Sequence, residues 1–335
     1  MPRRRTLLLA LVAVGPLLLS ACGDDGDEGA EAASGLEVPE GAWSFESSDG
    51  EVIELDETPQ RIVMFEDVAA SLMDLGVRPV GIHHIQGRDG NRLFEGMDLD
   101  GIGVTGEICD DVNIEQAAQL EPDVFVYMTW AGEGFCLNDE QKALLEEIAP
   151  VLEIEAMGDS TEIRQRYIDL AESFGADLDG PEIAAKRERF DDAEAALRDA
   201  LDARPEISLI PMTVDPEGAG IAEPAGFPDL VALRDHYGVD FVGPFDDDEF
   251  TETYWEFYSP ETSTTYRGDV ILMDSKNETP LEDKIDGNPL WAALPEVQAG
   301  QIVPWFVPGS FSYTRDAEFM EALARAILDA EDLVP

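Results

Sequence analysis

Asn113-Ile114-Glu115, running on to Pro122-Asp123-Val124-Phe125-Val126, returns later in the chain as Ser259-Pro260-Glu261 running on to Gly268-Asp269-Val270-Ile271-Leu272. In each copy the aspartate follows the glutamate by eight positions and an apolar run starts at once. The copies stand 146 positions apart (115 to 261, 123 to 269). Asn113 and Ser259 are good N-cap residues, which places each glutamate at the second position of a helix. A carboxylate there gains about 0.3–1 kcal/mol from the helix dipole alone. A helix-then-strand unit repeated at this distance predicts two similar lobes, and a two-lobed protein works in the crevice between its halves.

Three further echoes extend the repeat. Pro59-Gln60-Arg61-Ile62-Val63-Met64-Phe65 matches Pro205-Glu206-Ile207-Ser208-Leu209-Ile210-Pro211 at the same offset of 146 (59 to 205). Gly76-Val77-Arg78-Pro79-Val80-Gly81 matches Gly238-Val239-Asp240-Phe241-Val242-Gly243 at 162 (76 to 238). The second half therefore holds about 16 extra residues before that point, and the first half a compensating insertion around Gly87–Gly101. Val151-Leu152-Glu153-Ile154 corresponds loosely to Gln301-Ile302-Val303-Pro304. Short apolar runs such as Val124–Met128 and Val270–Met273 alternate with helical patterns, for example Val68, Leu72 and Leu75 before a terminating Gly76. That alternation predicts parallel sheets covered on both faces, with ligands beyond the carboxyl ends of the strands. The expected fold class is α/β, with two similar Rossmann-like lobes and mainly parallel sheets.

Between the halves, Pro181 opens a helical stretch to Ala203 whose Phe190, Ala193, Leu197 and Leu201 mark one apolar face. At 1.5 Å per residue it is roughly 30 Å long, a single rigid bridge that permits little opening and closing. Trp43-Ser44-Phe45 and Val52-Ile53-Glu54-Leu55 flank a Ser48-Asp49-Gly50 turn and read as a hairpin. At the other extreme, Arg3-Arg4-Arg5, an apolar run from Leu7 to Leu19 and Ser20-Ala21-Cys22 have the layout of a secretory signal. The run is too short for the roughly 20 apolar residues of a spanning helix. The stretch that follows, to about Gly41, is mostly Gly, Ala, Ser, Asp and Glu, a tether with almost nothing to bury. The expected organisation is a signal at 1–21, a tether at 22–42, an N-terminal lobe at 43–180, a bridging helix at 181–203 and a C-terminal lobe at 204–335.

With 73 acidic residues against 21 basic ones, the net charge is −52, which excludes nucleic acid as a partner. Acidity spread over a whole chain fits life in high salt, and it also favours cationic over anionic ligands. Cys109 and Cys136 fall in loops at one edge of the first sheet, where a disulfide and two free thiols are both open readings. His83-His84 point apart on a strand end and cannot readily ligate one ion, and His236 has no zinc-site spacing, so neither a metal site nor a cofactor is expected.

Taken together, Pro59-Gln60-Arg61-Ile62-Val63, Leu75-Gly76-Val77-Arg78-Pro79-Val80-Gly81 and Asn113-Ile114-Glu115 with Leu120-Glu121-Pro122-Asp123 resemble the periplasmic-binding-protein class that serves ferric siderophore, haem and cobalamin importers. Leu19-Ser20-Ala21-Cys22 is similar to a bacterial lipobox, which implies a lipid on Cys22 and a place at the outer face of the cytoplasmic membrane. The resemblance implies two α/β lobes bridged by one helix, a ligand between them, and docking of the loaded monomer on an ABC permease through Glu115 and Glu261. The expected ligand is a ferric siderophore, of uncharged or cationic hydroxamate type; haem and cobalamin are the alternatives within the class. The expected ligand contacts are Phe65, His83, Arg88, Trp130 and Phe135 in the first lobe. In the second they are Trp255, Trp305, Phe306, Tyr313 and Arg315. Aromatic rings offer large contact area at small entropic cost, and arginines hold carboxylate or other polar oxygens.

A different class, a lipid-anchored enzyme or sensor module, competes with this. No Gly-x-Ser-x-Gly elbow, His-Glu-x-x-His helix or Gly-rich phosphate loop is present, so the chain is not expected to be an enzyme.

Overall fold

The computed structural model describes residues 41–85, 87, 91–215, 218–245, 254–259, 262, 265–275, 289–305 and 309–334. The signal, Cys22 and nearly all of the tether lie outside them, as do Arg88, Glu261 and Phe306.

The first lobe begins with the expected hairpin, β1 (Trp43–Glu46) paired antiparallel with β2 (Val52–Leu55). Trp43 stacks on Phe174 (5.5 Å between centroids), and its indole N–H donates to Ser173 Oγ (3.1 Å). A sheet follows, built from β3 (Ile62–Phe65), β4 (Gly81–His83), β5 (Gly103–Gly106), β6 (Val124–Trp130), β7 (Glu133–Gly134) and β8 (Val151–Glu155). Its five main strands lie in the order β5-β4-β3-β6-β8 and are all parallel; the two-residue β7 pairs antiparallel at the end of β6. Every residue of β3 is buried, as the two-sided cover of a parallel sheet demands. The crossovers are α1 (Glu66–Asp74), α2 (Ile114–Gln119) and α3 (Asp139–Glu146), and α4 (Ser160–Ser173) closes the lobe.

Next comes α5 (Pro181–Ala203), with the bounds read from the sequence. Its buried face is Ile183, Phe190, Ala193, Leu197 and Ala200; Leu201 is only partly covered. It packs along the last helix, Tyr313–Asp329, where Phe190 and Ala193 meet Ala317 and Arg189 forms a two-pronged pair with Glu321 (2.8 and 2.9 Å).

The second lobe keeps a parallel core like the first and adds to it an antiparallel hairpin that the first lobe lacks. Its strands are β9 (Leu209–Asp215), β10 (Gly218–Ala222), β11 (Trp255–Tyr258), β12 (Val270–Asp274) and β13 (Ile302–Trp305), in the order β11-β10-β9-β12-β13. Only β9, β12 and β13 are parallel; β10 folds back on β9 and β11 adds antiparallel to β10. The extra residues found by the repeat are this hairpin. In the first lobe β3 leads straight into α1, whereas β10 and a 3₁₀ turn (Pro224–Gly226) stand between β9 and α6 (Pro228–Tyr237). The segment echoing β4 is thereby reduced to an isolated parallel bridge, Leu209 to Phe241. The echoed glycines keep their role: Gly76 (φ 91°) and Gly238 (φ 70°) both follow a helix in the left-handed region that side chains resist. No helix among the described residues is long and apolar enough to cross a membrane.

The lobes are stitched together where the last helix begins. Phe311 is buried in the first lobe's core, stacked on Tyr167 (6.1 Å), and its N–H donates to Ser71 Oγ (2.9 Å). Thr314 donates to Asp74 through its hydroxyl (2.6 Å) and its N–H (3.1 Å). Arg164 of α4 pairs with Asp316. A bridge helix plus this seam leaves little freedom for domain closure.

Candidate functional site

A belt of aromatic rings crosses from lobe to lobe, starting at the carboxyl ends of β3 and β6 in the first. Phe65 meets Phe135 (5.9 Å), Phe135 meets Trp130 (6.3 Å), and Trp130 meets Tyr254 of the second lobe (6.1 Å). Tyr254 continues to Phe227 (6.1 Å), which packs on Trp255 (5.0 Å) and Trp305 (5.2 Å). Trp130, half-buried, touches the cores of both lobes. Its position is fixed by the turn after it: the Glu155 carboxylate at the end of β8 accepts from Thr129 Oγ1 (3.1 Å), Ala131 N–H (3.1 Å) and Gly132 N–H (2.8 Å). The next loop is covalently tied, since Cys136, beside Phe135, is disulfide-bonded to Cys109.

Beside the second-lobe end of the belt lies a cavity of about 200 Å³. Arg92 and Leu93 come to it from a 3₁₀ turn of the first lobe (Arg92–Phe94); Asp229, Trp305, Ser310, Arg315, Asp316, Glu318 and Phe319 come from the second. Arg92 reaches across to the Ser275 carbonyl (3.4 Å), and its own carbonyl accepts from Arg315 Nη2. Burial and the neighbouring Arg92 depress the Arg315 pKa, although Glu318 opposes the shift. The Ser310 hydroxyl is buried and unpartnered. Such groups call for an explanation, and a ligand acceptor or water supplies one. Behind the cavity, burial pushes Asp229 up to about 6, against a hydrogen bond from Trp305 Nε1 (3.3 Å). Burial takes Asp316 up to about 7, with Arg164 pulling it down and Asp229 adding to the rise.

The sequence-derived contacts divide by their placement. Trp130, Phe135 and Trp255 stand half-buried in the belt, Trp305 and Arg315 line the cavity, and Trp305 is 1 % exposed. Phe65 and His83 are corrected: both have no exposed surface. Strand β3 is covered on both faces, so a ring at its end meets core. His83 Nε2 donates to the Ile108 carbonyl (2.9 Å), its Nδ1 meets the Tyr127 hydroxyl (3.2 Å), and burial lowers its pKa. They back the wall instead of facing the cleft. Tyr313, half-buried, stands elsewhere. It opens the last helix and packs on Phe190 of the bridging helix (5.7 Å), in the seam and outside the cavity lining. Glu115 is exposed at the second position of α2, whose N-cap Asn113 accepts from Gln116 N–H (3.0 Å). Among the described residues no three His, Cys, Asp or Glu side chains gather as a metal set.

Sequence reasoning missed Tyr254, Phe227 and Asp229. Tyr254 directly precedes Trp255, and Phe227-Pro228-Asp229 opens a helix with Pro at its first position; both signals were present but common.

The model of the family "Periplasmic binding protein" matches residues 103–305. The structure is similar to DesE, a ferric-siderophore receptor protein from Streptomyces coelicolor, at 30% identity and TM-score 0.78, over 87% of this chain and 100% of that one. It is also similar in fold to the siderophore periplasmic binding protein from the fuscachelin gene cluster of Thermobifida fusca (21%, TM-score 0.58, 80% and 96% covered). The Vibrio cholerae siderophore binding protein FhuD, solved with Fe3+-Desferal, is a further match (19%, 0.58, 81% and 99%). No curated protein sequence matches the chain.

Proposed function

Since the chain belongs to the periplasmic binding protein family, a family of extracytoplasmic substrate-binding proteins, we propose that it captures a ferric siderophore at the belt and cavity between its lobes. The loaded protein then delivers it to an ABC permease. One observation carries this reading: the belt in which Trp130 of one lobe meets Tyr254 of the other ends at Trp305, which lines a cavity entered by both Arg92 and Arg315. Rigid rings supply contact area to the organic shell of a chelate, and two guanidiniums supply donors to its oxygens. The cavity is smaller than the roughly 300–1,000 Å³ usual for engulfed ligands, so it takes one face of the complex. Three carboxylates stand near the two arginines, and the chain carries a charge of −52. That field disfavours a triply anionic catecholate and suits an uncharged or cationic hydroxamate complex. Lipidation of Cys22 would hold the protein at the outer face of the cytoplasmic membrane.

Tryptophan fluorescence tests the ligand class, because Trp130, Trp255 and Trp305 all lie in the belt or cavity. Titration with ferrioxamine B should quench saturably, and a ferric tris-catecholate should bind far more weakly. Quenching by haem or cobalamin alone would overturn the siderophore reading.

A further inference from the structure

Glu66 is the first residue of α1, directly after β3, and has no exposed surface. Its Oε2 accepts from the Ile85 N–H (3.1 Å) and from Asn91 Nδ2 (2.9 Å). Its Oε1 has no hydrogen-bond partner. His84 Nδ1, 3.7 Å from Oε2 and beyond hydrogen-bond reach, has none either. Burying a carboxylate without a close cation is expensive, and the helix N-terminus offsets only part of that cost. What the arrangement secures is the position of Ile85 and Asn91. Asn91 continues the chain of bonds: its side-chain oxygen accepts from Leu93 N–H (3.1 Å) and caps the 3₁₀ turn Arg92–Phe94. From that turn Arg92 enters the cavity, and its carbonyl holds Arg315.

We propose that Glu66 is a positioning residue for ligand capture: through Asn91 it fixes the turn that presents the Arg92 guanidinium to the bound complex. This rests on the siderophore-binding reading. It differs from a purely structural role in one respect, that its effect on affinity passes through Arg92.

A double-mutant cycle separates the two, with ferrioxamine B as the probe, binding read by tryptophan quenching and folding by thermal midpoint. Arg92→Ala should weaken binding about 10- to 100-fold, the scale of one charge-assisted contact. Glu66→Ala and Asn91→Ala should each weaken it roughly tenfold, and neither should weaken it further in the Arg92→Ala background. Glu66→Gln, whose amide oxygen still accepts both bonds, should bind almost as the parent does. Losses that multiply in the double variants would overturn the proposal while leaving siderophore binding intact. Parental affinity in a well-folded Asn91→Ala protein would do the same, and that variant decides the matter if Glu66→Ala does not fold. Absence of quenching of the unmutated protein by ferrioxamine B and other ferric hydroxamates would instead overturn the siderophore reading, and this proposal with it.

Discussion

The two aspartates of the repeat do one job in two different settings. Asp123 Oδ2 accepts from the N–H groups of Gln60 and Arg61 (2.7 and 2.8 Å), just before β3; Asp269 Oδ2 accepts from Ser208 N–H and Oγ (2.9 and 2.7 Å), just before β9. Each ties the strand that follows it to the first strand of its lobe's main sheet. Asp123 is exposed, however, whereas Asp269 is 1 % exposed and its Oδ1 also accepts from Leu333 and Val334 (2.7 and 3.0 Å). Burial alone would raise the Asp269 pKa, and the bonds from Ser208, Leu333 and Val334 outweigh it and lower it. The same motif is thus a surface clasp in one lobe and a buried hub in the other. Asp269→Ala, which strands four donors, should cost roughly 3–4 kcal/mol in urea unfolding, and Asp123→Ala, whose donors are reached by water, about 1 kcal/mol. Equal losses would mean that burial does not distinguish the copies.

Motifs that act locally were the legible ones. The Asn113 N-cap, the helix-stopping glycines and the Pro181–Ala203 bridge depend on neighbours a few residues away, and they stand where the pattern put them. The antiparallel half of the second sheet was not legible. Gly218-Ala219-Gly220-Ile221-Ala222 has little strand propensity, and it is a strand because β9 and β11 flank it. The orientation of Phe65 was hidden for a similar reason. Being near a strand end does not say which way a ring points, and packing turned this one into the core. Belt members from the second lobe, Tyr254 and Phe227, matter only because a residue some hundred positions away, Trp130, faces them.

At the seam the lobes are chemically opposite: the first contributes a base, Arg164, and the second two acids, Asp229 and Asp316. One arginine does not satisfy two carboxylates, and both are raised, to about 6 and about 7. A carboxyl held above its unfolded value of about 3.9 binds its proton more tightly in the folded protein. Stability therefore falls as pH climbs from about 4 through the folded values, and the contribution is fully present only below about 4. Asp229→Asn keeps an acceptor for Trp305 Nε1 and removes the surplus charge. It should stabilise the protein by about 1–3 kcal/mol at pH 8, with the gain shrinking as pH drops below about 6. Urea melts at pH 5 and pH 8 measure this. A destabilised Asp229→Asn at pH 8 would show that both acids are needed as anions to balance the seam.

The smallest expected effect on stability belongs to the feature that first revealed the repeat. Glu115 is exposed, and as the second residue of a short capped helix it is worth no more than about 0.3–1 kcal/mol to the fold. If docking on the permease is its role, Glu115→Ala should leave the unfolding midpoint and ferrioxamine B affinity almost unchanged while ATP-driven uptake by reconstituted importer falls steeply. Glu261→Ala should behave in the same way if its copy works as a partner. The second copy departs from the first after the glutamate, with Thr262-Ser263-Thr264-Thr265-Tyr266 against Gln116-Ala117-Ala118-Gln119-Leu120. Uptake measured for each single variant and for the pair therefore asks whether the lobes contribute alike. Loss through Glu115 alone would make docking one-sided, and loss of ligand affinity in either variant would assign that glutamate to the cleft or the fold.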